Sequence, residues 1–138
     1  MSDPGTYRIL VVDDEASVLI TYRLILEQEG YKVYKAECCD AAFDVLANHR
    51  IQLIITDLML PGMTGLEFIH KVRRVANYDL IPVVAMSAFD QKYLAAAAQA
   101  GAIRILHKPE DLDLLVPTVN QLLQEHASHS NHSASASS

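Results

Sequence analysis

The feature that most limits what this chain can fold into is a strict alternation of short apolar runs with segments of helical period. Five runs, Arg8 to Val12, Lys32 to Ala36, Ile51 to Thr56, Pro82 to Ser87 and Ile103 to His107, are bounded by polar or turn residues and read as buried strands. Between and after them lie Ala16 to Gln28, Asp40 to Asn48, Gly65 to Ala76, Asp90 to Gln99 and Asp111 to Glu125, each with apolar residues at helical spacing. Parallel strands need long right-handed crossovers, so the alternation predicts an α/β fold, a doubly wound five-stranded parallel sheet with five helices on its two faces. In such sheets the ligand site lies beyond the carboxyl ends of the strands, where the strand order reverses.

Polar residues gather at that edge. Asp13 and Asp14 follow ILVV, Asp57 follows IQLIIT, Ser87 closes VVAMS, and Lys108-Pro109 closes the fifth run. Neighbouring carboxylates repel unless a cation neutralises them. Magnesium suits the task, because it takes oxygen ligands, keeps several waters and uses one or two carboxylates together with phosphate oxygens. Asp14, Asp57 and a backbone carbonyl just after Asp57 can supply the protein ligands. The Asp57 carboxylate can also act as a nucleophile and form an acyl phosphate once a metal offsets the charge of the incoming phosphoryl group. Lys108 then places a point charge on one phosphoryl oxygen, and the Ser87 hydroxyl donates to another. Each residue alone has an ordinary reading: an aspartate after a strand is commonly a helix cap, a serine there is unexceptional, and a lysine is usually solvated. Their joint placement at one edge favours a site.

The 138 residues suit one domain, which at this size buries about two thirds of its extended surface. Residues 5–126 read as that domain. Residues 127–138 contain only Ser, His, Ala and Asn and read as a disordered Ser/His/Ala-rich tail, too poor in apolar groups to order itself. His126, His129 and His132 recur every third residue, but a dedicated metal site would need rigid support around its ligands, so a solvated tail is favoured. A formal net charge of −6 argues against a direct nucleic-acid partner. No run approaches the ~18 apolar residues of a membrane span, and MSDPGTYR lacks the regions of a signal peptide, so a cytoplasmic chain without membrane insertion is expected. Adjacent Cys38 and Cys39 suit neither a bridge across the fold nor a zinc site and are expected as reduced thiols.

With ILVVDDE at the first strand, IITDLMLPGMTGLE around Asp57, VVAMSAF at the fourth strand and AGAIRILHKP at the fifth, the chain resembles the receiver domain of two-component response regulators, of the stand-alone chemotaxis type, from about Tyr7 to Glu125. The resemblance implies a flavodoxin-like strand order 2-1-3-4-5. It implies that Asp57 accepts a phosphoryl group from a phosphohistidine on a sensor histidine kinase or a histidine phosphotransfer protein. By position, Asp14 resembles the direct Mg2+ ligand, Asp13 its outer-shell partner, and the Met59 backbone carbonyl the third protein ligand. Ser87 resembles the switch hydroxyl and Lys108 the lysine that pairs with the phosphate. A receiver is not an enzyme acting on a separate substrate; it catalyses its own phosphoryl transfer and its own dephosphorylation. That second reaction is expected to be slow here, because the residues placed to position water, Met59 and Phe89, are apolar. The output is expected to be a phosphorylation-dependent change in protein contacts, through the face of the fourth helix, fifth strand and fifth helix, and a phosphorylation-dependent dimer stays open.

Two positions depart from the family pattern. Ile105 stands where receivers usually carry an aromatic residue, and Glu110 where they commonly carry an apolar one. A stiff, branched side chain has no ring to relocate, so the response is expected to rely on the loop after Ser87 and on the helix around Ala95 to Ala98. The alternative is a constitutive docking module of the same fold. A haloacid dehalogenase-type phosphatase would need a second acid where Met59 stands. A flavodoxin-type cofactor binder would need a glycine- or hydroxyl-rich loop where DDEAS puts negative charge.

Overall fold

Three of the strands are Val-, Ile- and Leu-rich and buried on both faces, the pattern of a parallel sheet sandwiched between helices. The computed structural model describes residues 6–60, 62–87, 95, 98–102, 104–107 and 112–125. Its strands are β1 (Arg8–Val12), β2 (Lys32–Ala36), β3 (Leu53–Asp57), β4 (Val83–Ser87) and β5 (Arg104–His107). Its first three helices are α1 (Ala16–Gln28), α2 (Cys39–Asn48) and α3 (Gly65–Arg74). Helical backbone at 95 and 98–100 belongs to α4, and a 3-10 turn, Leu112–Leu114, leads into α5 at 115–125. All pairings are parallel and the order is β2-β1-β3-β4-β5, as expected for a flavodoxin-like sheet.

Successive strand residues point to opposite faces, and this sorts the core into two halves. Leu10, Val12, Ile54, Val83 and Ala85 meet Ala42 and Leu46 of α2 and Phe68, Ile69 and Val72 of α3. Ile9, Val11, Ile55, Val84 and Met86 meet Leu19, Tyr22 and Leu26 of α1 and Leu115, Val119 and Leu123 of α5. Each fully buried large apolar side chain contributes about 1.5–3 kcal/mol over leaving it in water.

The element ends differ from the sequence reading where polar groups intervene. β3 starts at Leu53 rather than Ile51, because the Gln52 side chain accepts the Arg8 N–H at 2.7 Å and closes the ladder there. The same strand runs through Asp57, which pairs with Met86. Pro82 has no N–H to give, and β4 begins one residue later. Extended Cys38 lets α2 begin at Cys39. α3 stops at Arg74 rather than Ala76, because Val75 is extended and the chain turns at once, with the Tyr78 N–H on the Val75 carbonyl at 2.9 Å. Residues 90–94, 96–97, 103 and 111 of the expected elements, and the tail from residue 126, lie outside the described residues. Among the described residues no helix is long and apolar enough to cross a membrane.

Candidate functional site

Strand order and register together build the site. The chain leaves β1 for β2 on one side and returns to β3 on the other, so the order reverses between β1 and β3. Val12 pairs with Thr56 across that point, which brings the next residues, Asp13 and Asp57, side by side. Asp57 pairs in turn with Met86, and Ser87 is the following residue, closing β4 opposite His107. Asp13, Asp57 and Ser87, all singled out from sequence, therefore sit on one sheet edge because of the ladder.

One carboxylate oxygen from each of Asp13, Asp14 and Asp57 lies within 4.8 Å of the others. Burial differs among them. Asp13 is 1% exposed, Asp57 9% and Ser87 0%, whereas Asp14 is exposed. The α1 N-cap is Glu15, not either aspartate; the Asp13 carboxylate instead accepts the Glu15 N–H at 3.0 Å, which fixes its rotamer at the mouth of the loop. The Asp13 N–H donates to the Ala36 carbonyl at 3.1 Å and pins the same loop from the β2 side. Three acidic groups this close need a counter-charge, and an all-oxygen donor set suits a hard divalent cation such as Mg2+.

The loop after β3 is held as firmly. Oδ1 of Asp57 accepts the Met59 N–H at 3.1 Å, so the residue expected to offer a backbone carbonyl is tied to the expected nucleophile. The Met59 side chain is 44% exposed at the rim and adds no polar group. Leu58 is buried beneath the loop, and its carbonyl accepts the Gly65 N–H at 2.9 Å. Gly65 itself lies against β3: a Cβ there would be 2.2 Å from the Asp57 carbonyl oxygen and 2.6 Å from the Leu58 Cα. Thr64 caps α3, its hydroxyl accepting the Glu67 N–H at 3.2 Å while Glu67 accepts the Thr64 N–H at 3.2 Å. Glu67 near the start of α3 and Lys71, Arg73 and Arg74 in its last turn also match the helix dipole. The T-x-x-E pattern of Thr64 and Glu67 is a sequence signal for this cap. The close approach at Gly65 has no such signal, since it depends on where α3 meets β3.

Lys108 and Phe89 lie outside the described residues. Ile105 is half-buried on β5 and packs with the α2–α3 half of the core. Both cysteines are free thiols, as expected. Burial, helped by neighbouring Cys38, Asp40 and Glu67, pushes the Cys39 thiol up to about 11.

A family model for the response regulator receiver domain matches residues 9–120. Response regulator MprA of Mycobacterium sp. (strain KMS) is 35% identical over 85% of this chain and 50% of that protein. Sporulation initiation phosphotransferase F of Bacillus subtilis (strain 168) is 27% identical over 84% of this chain and 93% of that protein. Among solved structures, the chemotaxis response regulator CheY4 of Vibrio cholerae superposes with a TM-score of 0.80 at 27% identity, covering 86% of this chain and 99% of that one. The chain spans about half the length of MprA and of the other regulators of that size that it matches.

Proposed function

The chain belongs to the response regulator receiver domain family, and on that premise we propose that it accepts a phosphoryl group on Asp57 from a histidine kinase or histidine phosphotransfer protein and thereby switches its protein contacts. The observation that carries this reading is the gathering of Asp13, Asp14 and Asp57 within 4.8 Å at the point where the strand order reverses. A carboxylate oxygen of Asp57 attacks phosphorus; the new P–O bond forms as the P–N bond to the donor imidazole breaks, and the imidazole keeps the electron pair. Asp14, Asp57 and the Met59 carbonyl would hold Mg2+, with Asp13 behind them, and the ion would neutralise charge on the phosphoryl oxygens. The Asp57 carboxylate is already oriented by the Met59 N–H, so little reorganisation precedes attack. Lys108 pairs with a phosphoryl oxygen, and the Ser87 hydroxyl, at the end of the adjacent strand, reorients toward another.

The chain catalyses its own phosphorylation and has no separate substrate. Its output is a difference in affinity for a protein partner between the two states. Moving from mostly off to mostly on takes a differential of about 5.5 kcal/mol, and a smaller one gives a graded response. The reading is tested with a histidine phosphotransfer protein carrying labelled phosphohistidine. Label should pass to the wild type, stay on the donor with Asp57→Asn, and stay there when magnesium is chelated. Transfer that persists in Asp57→Asn would sink the assignment of the acceptor, and no transfer to the wild type would favour the constitutive docking module.

A further inference from the structure

Arg73 stands in the last turn of α3, half-buried, at the opposite end of the sheet from Asp57. Its Nε and Nη2 both donate to the Gly101 carbonyl, at 3.2 and 2.9 Å. Its Nη1 donates to the Asp79 carbonyl at 3.1 Å and the Tyr78 carbonyl at 3.4 Å. One planar fork thus joins two segments that are distant in sequence. The first is the turn that feeds β4. The second is the residue that ends α4 and feeds β5, where the Gly101 N–H closes back on the Ala98 carbonyl at 3.2 Å. Gly101 has φ +119°, and a Cβ there would sit 2.9 Å from both Cγ and Nε of Arg73, so the close fit is specific to glycine. A cation at the carbonyl end of a helix is also favoured by the helix dipole.

These bonds fall at the amino ends of two strands whose carboxyl ends hold Ser87 and His107. β4 and β5 are locked in register from Val84–Arg104 to Ser87–His107. At roughly 3.3 Å per residue, the first residue of β4, Val83, lies about 13 Å along the strand from Ser87, and the anchored turn lies before it. We infer that Arg73 is a positioning residue, fixing the amino ends of β4 and β5 to α3, so that a displacement imposed at Ser87 reaches α4 as a tilt about that fixed end. With Ile105 offering no ring to move, this rigid linkage carries the response. The anchor stands on the hydrogen bonds alone, whereas the transmission rests on the phosphoacceptor reading.

The test uses the full chain as wild type, Arg73→Ala and Arg73→Lys. Amide hydrogen exchange is followed without ligand, then amide resonances are followed with Mg2+ and beryllofluoride as a phosphoryl mimic. Without ligand, Arg73→Ala should speed exchange at 98–106 by about tenfold or more while leaving β1 and β2 near their wild-type rates. Lysine, a point donor that cannot bridge both segments, should restore only part of the protection. With the mimic, the wild type should respond at Ser87 and at 98–102, and Arg73→Ala should respond at Ser87 with a much weaker response at 98–102. A residue that merely added stability would lower the melting temperature yet leave that ratio unchanged. Exchange at 98–106 within about twofold of wild type would overturn the anchor, and an undiminished response at 98–102 in Arg73→Ala would overturn the transmission. A wild type silent at both places would overturn the phosphoacceptor reading and the transmission together, while the exchange comparison would still decide the anchor.

Discussion

Replacing Gly65 by alanine sets two effects of opposite sign against each other. Gly65 opens α3 and does not have positive φ, so alanine can adopt its backbone, and helix propensity alone would favour alanine by about 1 kcal/mol. The new Cβ, however, would lie 2.2 Å from the Asp57 carbonyl oxygen and 2.6 Å from the Leu58 Cα, both backbone atoms with no rotamer to relieve the clash. Ordinary contact begins near 3.4 Å, so the start of α3 and the end of β3 must part by about 1.2 Å. Overpacking of this kind costs about 1–3 kcal/mol, which outweighs the propensity gain. Gly65→Ala should therefore be less stable than wild type, by up to about 2 kcal/mol, in urea unfolding followed by circular dichroism. A shift of about 1 Å at the Asp57 backbone should also slow phosphorylation by a small-molecule donor about 100-fold. Lost stability with an unchanged rate would mean that the helix gives way and the strand does not. A variant as stable as wild type and phosphorylated as fast would refute the reasoning.

Thr64→Ala removes the hydroxyl that accepts the Glu67 N–H, while the backbone N–H at 64 can still donate to Glu67, and should cost about 0.5–2 kcal/mol, read as a lower melting temperature. The Cys39 thiol, buried and raised to about 11, should resist alkylation near about pH 8, so half-buried Cys38 takes the first adduct and Cys39 labels on unfolding. Because the Cys39 pKa is higher folded than unfolded, the protonated form favours the fold: that contribution is intact below the unfolded value and is lost as pH rises toward about 11, which urea titrations at several pH values would detect. Once formed, the phosphoryl group should persist well beyond seconds without a partner, since Met59 offers no polar group to position water; loss within seconds by intact mass would contradict this.

The sheet was legible because its strands are short apolar runs separated by helix-sized intervals, and Asp13, Asp57 and Ser87 because a polar residue ending such a run stands out. Register turned those separate ends into one site: Val12 opposite Thr56 sets Asp13 beside Asp57. What the sequence hid lies in contacts between elements. The early stop of α3 reflects the turn at Tyr78, the late start of β3 reflects a side-chain bond from Gln52, and Gly65 and Arg73 matter through backbone that is far off in the chain or fixed by packing. A glycine at the start of a helix looks merely like a weak helix former until the carbonyl of Asp57 is seen against it. The expected ends were wrong by one or two residues where a polar group or a proline, rather than the apolar pattern, ended the element.

The most direct test of the central claim is the intact mass of the chain after incubation with a small-molecule phosphodonor, with and without magnesium, for wild type and Asp57→Asn. One phosphoryl adduct that requires magnesium and vanishes in Asp57→Asn is the predicted result. An adduct of equal yield in Asp57→Asn, or none in the wild type under any condition, would contradict it.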